Sequence, residues 1–262
     1  MVNKPIIGVA SLIFVMAAVG VYYLRSRNAP LPATPVPAST APAASEPAIA
    51  HPLPGAAGSS SAPLPDLADS DAPLRDALAQ LAGADAVKAY VVPEDVIRRI
   101  VVTIDNMPRQ KIAVDKRPTT AIGGSFAANG DELHATLNQQ NFERYKPLVT
   151  VISKLDMQQL GAVYIRFYPL FQQAYQNLGY PNGYFNDRLV EVIDAMLATP
   201  EPKGPIQLVR PNVMYLYADP ALEARPAGQK LLIRMGPENA QAVKAKLTEL
   251  RAIITAGSLK HQ

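Results

Sequence analysis

Asp187, Glu191 and Asp194 fall at i, i+4 and i+7, a spacing that puts three carboxylates on one face of a helix. Such a stripe can offer oxygen ligands to a hard cation or one member of an acid/base pair. With Arg188 beside it, the same stripe also reads as a solvated face. Glu143, in Asn141-Phe142-Glu143-Arg144-Tyr145 ahead of an apolar helical stretch, is a candidate general acid for glycan cleavage, which would make the chain a peptidoglycan hydrolase. That chemistry needs a second carboxylate at a defined distance, and the sequence places none. Other chemistries lack their residues. There is no Cys, which excludes thiol catalysis and Cys/His zinc sites. Of the three histidines, His51 and His261 fall outside the compact part of the chain, so a Ser-His-Asp triad would have to use His134, and no G-x-S-x-G elbow accompanies it. No phosphate-binding loop or G-x-G-x-x-G fingerprint occurs, and Gly123-Gly124 reads as a turn. The reading is a protein without catalytic set, cofactor or metal.

The aromatic residues are the positive signal. Nine of the seventeen Phe and Tyr residues lie between Tyr145 and Phe185, and six of those nine are Tyr. A Tyr ring buries area while its hydroxyl still needs a partner, a chemistry suited to clefts and interfaces. Gly179-Tyr180-Pro181-Asn182-Gly183-Tyr184-Phe185 adds turn residues that present three aromatics. Packing around a long helix is one reading; a groove for a peptide segment, a partner helix or a glycan is the other. On the second, Tyr180, Tyr184, Phe185, Asn186, Asp187 and Arg188 form a partner-binding surface.

Charge adds one further candidate. Of 25 Lys and Arg against 22 Asp and Glu, Lys4, Arg25 and Arg27 flank an apolar run, and the remainder balances. A neutral domain lacks the basic excess of a nucleic-acid binder. Locally, Arg98, Arg99, Arg109, Lys111, Lys116 and Arg117 face only Asp105 and Asp115. The segment is either a solvated face or an anion patch that docks on anionic lipid.

Helices position most of these residues. Ser70-Asp71 with Pro73 opens a helix over Leu74–Leu81. Pro93-Glu94-Asp95 opens a second, in which Val96, Ile97, Ile100, Val101 and Ile104 follow a 3.6 period until Asn106 and Pro108 close it. The longest pattern runs from Asp156 to Leu178, with Met157, Leu160, Tyr164, Phe167, Phe171, Ala174 and Leu178 on one face and a kink expected at Pro169. Asn186-Asp187 opens a helix through Leu197, stopped by Thr199-Pro200. Gly236-Pro237-Glu238 starts the last, whose seam is Ala240, Val243, Leu247, Leu250 and Ile254. Two β signals interrupt: a hairpin through a type I′ turn at Asn129-Gly130, and a second pairing 206–209 with 213–217.

The amino-terminal part supplies an address. The uncharged run from Ile6 to Leu24 spans roughly 28 Å as a helix, close to a bilayer's hydrocarbon thickness. Tyr22 and Tyr23 sit where interfacial aromatics do, and Val21-Tyr22-Tyr23-Leu24-Arg25 is a poor signal-cleavage context. The run therefore reads as a single-pass anchor. The five-residue leading tail and the absence of Lys or Arg between Arg27 and Arg75 favour a domain outside the cytoplasm. Between Ala29 and Pro65, ten prolines and eleven alanines surround Glu46 as the only charge, too little apolar bulk to offset ordering entropy. The expected class is mainly α: a cytoplasmic tail over 1–5, a transmembrane anchor over 6–24, a disordered Pro/Ala/Ser-rich linker over 25–69, one mostly helical domain with one or two small β-hairpins over 70–257, and a tail over 258–262.

Several blocks, in order, resemble a bacterial family. They are Val101-Val102-Thr103-Ile104-Asp105-Asn106-Met107-Pro108-Arg109, Phe167-Tyr168-Pro169-Leu170-Phe171-Gln172-Gln173-Ala174-Tyr175, the block from Gly179 to Arg188, Tyr217-Ala218-Asp219-Pro220, Ala227-Gly228-Gln229-Lys230 and Arg234-Met235-Gly236-Pro237-Glu238-Asn239-Ala240. The sequence is similar to domain of unknown function 3014 over roughly Leu74 to Ile254. The resemblance implies an anchor, a low-complexity linker and a helical domain in the Gram-negative envelope, and it implies no reaction. The expectation is an inner-membrane protein whose periplasmic domain binds an envelope protein or polymer as a non-enzymatic scaffold, with no nucleic-acid partner.

Overall fold

Four helices meet around the carboxy-terminal one, and that helix explains how the elements are held. The computed structural model describes residues 49–54, 63–131 and 134–257. The expected anchor over 6–24, most of the linker and the tail over 258–262 lie outside them. Among the described residues, no helix is long and apolar enough to cross a membrane. A 3-10 turn at Leu67–Asp69 leads into α1 (Asp71–Ala82) and α2 (Ala84–Tyr90). Then come α3 (Val96–Asn106), α4 (Gln140–Lys154), α5 (Met157–Asn177), α6 (Phe185–Leu197), α7 (Pro220–Glu223), α8 (Ala227–Met235) and α9 (Pro237–Thr255). Helix α9 packs on α4, α5, α6 and α8, while α3 lies across α5 and α6 and α1 against α5.

The main core gathers Val96, Ile97 and Val101 of α3, Phe167, Phe171 and Ala174 of α5, Phe185, Val190 and Ile193 of α6, and Ile254 of α9. On α3, α5 and α9 these are positions of the apolar stripes read from sequence, so periodicity and burial agree there. On α5 the buried face is wider than the stripe, because Tyr168, Leu170 and Tyr175 are also buried. Leu178 is 39% exposed, past the last helical residue. The helix continues through Pro169. A second core joins Val149, Val192, Met196, Leu232, Ala240 and Val243.

The expected hairpins are present, but they form one sheet. Strands β1 (Ala128–Asn129), β2 (Ala135–Leu137), β3 (Gln207–Val209) and β4 (Leu216–Tyr217) make an antiparallel sheet in the order β1-β2-β3-β4. Ala135 pairs with Leu208, so β2 and β3 join the two hairpins edge to edge. The inner face packs Ala135, Leu137, Leu208 and Tyr217 on Ile233 of α8. The type I′ expectation at Asn129-Gly130 fails. Asn129 pairs with Thr136, a longer loop than a two-residue turn, and of the two residues only Gly130 has positive φ.

The linker expectation also changes. Residues 49–54 and 63–69, placed in a disordered linker over 25–69, include Leu53 and Leu67, each 5% exposed in the main core. Average composition over the linker hides single leucines, and composition carries no information about the polar groups the domain offers in return. Gly257, just past α9, is where this packing is tightest. A Cβ there would sit 2.3 Å from the Pro52 carbonyl oxygen, so only glycine lets the segment pass.

Candidate functional site

The surface chosen from sequence lies at the start of α6, and α5 determines its shape. A helix leaves its first amides without intrahelical partners. Here α5 side chains supply them. The Phe185 amide donates to Gln172 Oε1 at 2.8 Å, and the Asn186 amide donates to the Tyr168 hydroxyl at 3.3 Å. Gln172 also donates from Nε2 to the Gly183 carbonyl at 2.7 Å, fixing the end of the Gly179–Tyr184 turn where it enters α6. Gly183 must be glycine for a steric reason, since a Cβ would fall 2.8 Å from the Tyr175 ring. Burial pushes the Tyr164 and Tyr168 hydroxyls well above the ordinary tyrosine range, so both remain protonated donors.

The six candidate residues divide into three groups. Phe185 is fully buried and stacks on Phe171 with ring centroids 5.8 Å apart, which makes it a core residue and corrects its place on the binding surface. Asn186 is also fully buried, yet it faces the site through its side chain. Its amide donates to the Ile254 carbonyl at 3.1 Å and to the His51 carbonyl at 2.8 Å, while its oxygen accepts from the Tyr164 hydroxyl at 3.2 Å. Asp187 is half-buried and accepts from two consecutive backbone amides, Ala50 at 3.0 Å and His51 at 2.7 Å. The Tyr184 hydroxyl accepts from the Leu53 amide at 3.3 Å. Three candidate residues thus bind one short stretch of this chain's own backbone, bent at Ala50 and His51.

Tyr180 and Arg188 belong to an adjoining cluster around a carboxylate. Asp105, in the last turn of α3, is 2% exposed. Arg109 approaches its Oδ2 at 2.6 Å and Arg188 its Oδ1 at 3.2 Å. Arg188 also donates to the Asp105 carbonyl at 2.8 Å and pairs with Glu191 at 2.8 Å. Burial opposes the Arg188 charge, but Glu191 and Asp105 outweigh it and hold the guanidinium ionised. Tyr180 stacks on Tyr175 at 4.6 Å and its hydroxyl lies 3.4 Å from Asp105 Oδ2. Asp105, Tyr175, Tyr180, Arg188 and Glu191, with Tyr184 and Asp187, line a depression of about 300 Å³.

The other candidates lie apart. In the carboxylate stripe, Asp187 takes backbone amides, Glu191 takes Arg188, and Asp194 takes Arg251, whose second contact is 3.0 Å. All three serve protein partners, and among the described residues no group of three or more His, Cys, Asp or Glu could hold a metal. Glu143 is an exposed residue of α4 paired with Lys146 at 2.7 Å. His134 is exposed beside Asp131 at 3.3 Å. The basic segment is not a single face. Arg98 pairs with Asp95, Arg99 reaches the Glu94 and Asp115 carbonyls, Lys116 lies near Asp115, and Lys111 is exposed beyond α3. Arg109 lies three residues past the end of α3, away from Arg98 in its first turn, in the Asp105 cluster. Arg117 is half-buried after a 3-10 turn at Val114–Lys116.

Two site residues escaped the sequence reading. Asp105 lies four residues after fully buried Val101, so a carboxylate falls on the apolar face of its helix. Gln172 follows Phe171 next to the buried stripe of α5. Both are polar residues close to an apolar periodicity, and that was the available signal.

The family model for Protein of unknown function (DUF3014) matches residues 96–251. No curated protein and no solved structure matches the chain. The match begins at the first residue of α3, ends within α9, and includes Asp105, Gln172 and the whole Tyr180–Arg188 surface. It spans more than half of the 262 residues, and the chain belongs to the DUF3014 family of proteins of unknown function.

Proposed function

We propose that this protein is a non-enzymatic binding module of the Gram-negative envelope, held on the inner membrane by residues 6–24, whose periplasmic helical domain takes a protein partner on the Tyr180–Arg188 surface. One observation carries the reading. Asp187, Asn186 and Tyr184 engage a peptide backbone at four points, through the Ala50, His51 and Leu53 amides and the His51 carbonyl. Contacts of this kind favour a polypeptide over a glycan, because amide donors spaced along a strand are what the carboxylate and hydroxyl accept. The apolar run and the Pro/Ala linker, whose only charge between Ala29 and Pro65 is Glu46, support the membrane setting.

Replacing Tyr180 and Tyr184 together with alanine is expected to reduce partner recovery by in-cell crosslinking to about a tenth or less, in line with loss of buried aromatic anchors. Both exchanges remove rings packed on the core, Tyr180 on Tyr175 and Tyr184 on Tyr168, and so lower stability, but the Gln172 contacts to the start of α6 remain and the domain should keep its helical circular dichroism. Partner recovery equal to that of the unaltered chain would remove this surface from the function.

A further inference from the structure

The segment that occupies the ledge is itself informative. From Ala50 to Pro54 it presents two consecutive amide donors, a proline, a leucine whose side chain is buried, and a second proline. No helix or strand includes it. Its polar contacts with Tyr184, Asn186 and Asp187 all use its backbone, and its one buried side chain is Leu53. The proline at 52 costs nothing here, since the contact pattern requires no amide at that position. The residues that grip it lie inside the family-matched region and the segment lies outside it. The same triplet recurs elsewhere in the chain, at Pro30-Leu31-Pro32 and Pro63-Leu64-Pro65, each preceded by two residues with amide donors.

We infer that the ledge of Tyr184, Asn186 and Asp187 is a receptor for an x-x-Pro-Leu-Pro peptide segment, and that Ile49–Pro54 is its resident occupant, a ligand in cis that a partner segment of the same chemistry displaces. This rests on the reading of the domain as a protein-binding module and names the class of partner. The two x residues donate to Asp187, the leucine amide donates to Tyr184, and the leucine side chain fills the place of Leu53 in the main core. Asn186 fixes the polarity of the strand by donating to the carbonyl of the second x residue. A resident strand has two consequences: it keeps a peptide-binding surface closed when no partner is present, and it sets a threshold that an incoming strand must exceed.

The test uses the full chain and a fluorescent peptide with the sequence of residues 46–56. In the chain, Ala50→Pro with His51→Pro removes both donors to Asp187 and leaves every receptor residue in place. Polarisation titration is expected to give at least about tenfold tighter peptide binding to this double variant than to the unaltered chain, because a competitor held in cis lowers the fraction of open sites. A chain with Ile49–Pro54 replaced by Gly and Ser of equal length should show the same gain. Adding Asp187→Ala to either should abolish it, and a peptide carrying aspartate in place of the leucine should not compete. Equal binding by the unaltered and variant chains, or binding by none, overturns the inference. So does loss of helical circular dichroism in both variants, which would make the segment part of the fold rather than a ligand. Partner crosslinking that depends on Tyr180 and Tyr184 without any peptide binding would remove this inference alone and leave the proposed function standing.

Discussion

Asn186→Ala is expected to lower the stability of the domain by about 3 kcal/mol, read as a fall in the urea midpoint with little change in slope. The side chain is fully buried and joins three parts of the molecule: Tyr164 of α5, Ile254 of α9 and His51 of the docked segment. Alanine removes the acceptor of a buried hydroxyl and the donor of a buried carbonyl at once. Each orphaned group costs about 1–3 kcal/mol. Burial holds the Tyr164 hydroxyl protonated, so it cannot relieve the loss by ionising. Asn186→Asp should be no better, because it keeps the acceptor but removes both donors. A loss below about 1 kcal/mol for Asn186→Ala would mean that these bonds contribute little beyond what water supplies.

The second large effect is expected at Asp105, where alanine should cost about 3–4 kcal/mol. The carboxylate is 2% exposed and its partner Arg188 has a side chain only 19% exposed. Removing one member strands the other, and stranding a charge costs more than the pair contributes. Two comparisons separate this account from simple loss of packing. Arg109→Ala should cost less than about 1 kcal/mol, because that side chain is 56% exposed and solvent screens it. Asp105→Leu combined with Arg188→Leu should recover most of the stability lost by Asp105→Ala, since the charges left behind, Arg109 and Glu191, are exposed to solvent. A double variant as unstable as the single one would contradict the stranded-charge explanation.

Much of the helical scaffold was legible in the sequence because its residues repeat at the period of the structure they form. Val96, Ile97 and Val101, the Phe167–Phe171–Ala174 stripe and the Ala240–Val243–Ile254 seam are all buried as their spacing requires. The short α2, α7 and α8 were not legible, because elements of four to nine residues carry too few turns to establish a period. The joining of two hairpins into one sheet was likewise hidden. Ala135 meets Leu208 across 73 positions, and nothing local in either strand encodes that pairing.

The site was partly legible for a different reason. Dense Tyr and turn residues pointed to the correct stretch, but residue type does not separate Phe185, stacked in the core, from Tyr184, which meets a backbone. Nor did composition distinguish Leu53 from the prolines and alanines around it. Burying one leucine contributes about 2 kcal/mol. Ordering each residue's backbone costs about 1–2 kcal/mol. One leucine therefore cannot hold six residues without the amide contacts to Asp187 and Tyr184. Those partners lie more than 130 positions away and exist only after the domain has folded.

The central claim is that the start of α6 grips a peptide strand by its backbone, and amide hydrogen exchange on the full chain tests it most directly. The amides of Ala50, His51 and Leu53 are expected to exchange at least about tenfold more slowly than in the isolated peptide, because exchange requires the docked segment to open first. In Asp187→Ala, Ala50 and His51 should exchange at the rates of the free peptide while amides within α5 and α9 keep their protection. Unprotected Ala50 and His51 in the unaltered chain, or protection that survives Asp187→Ala, would contradict the account.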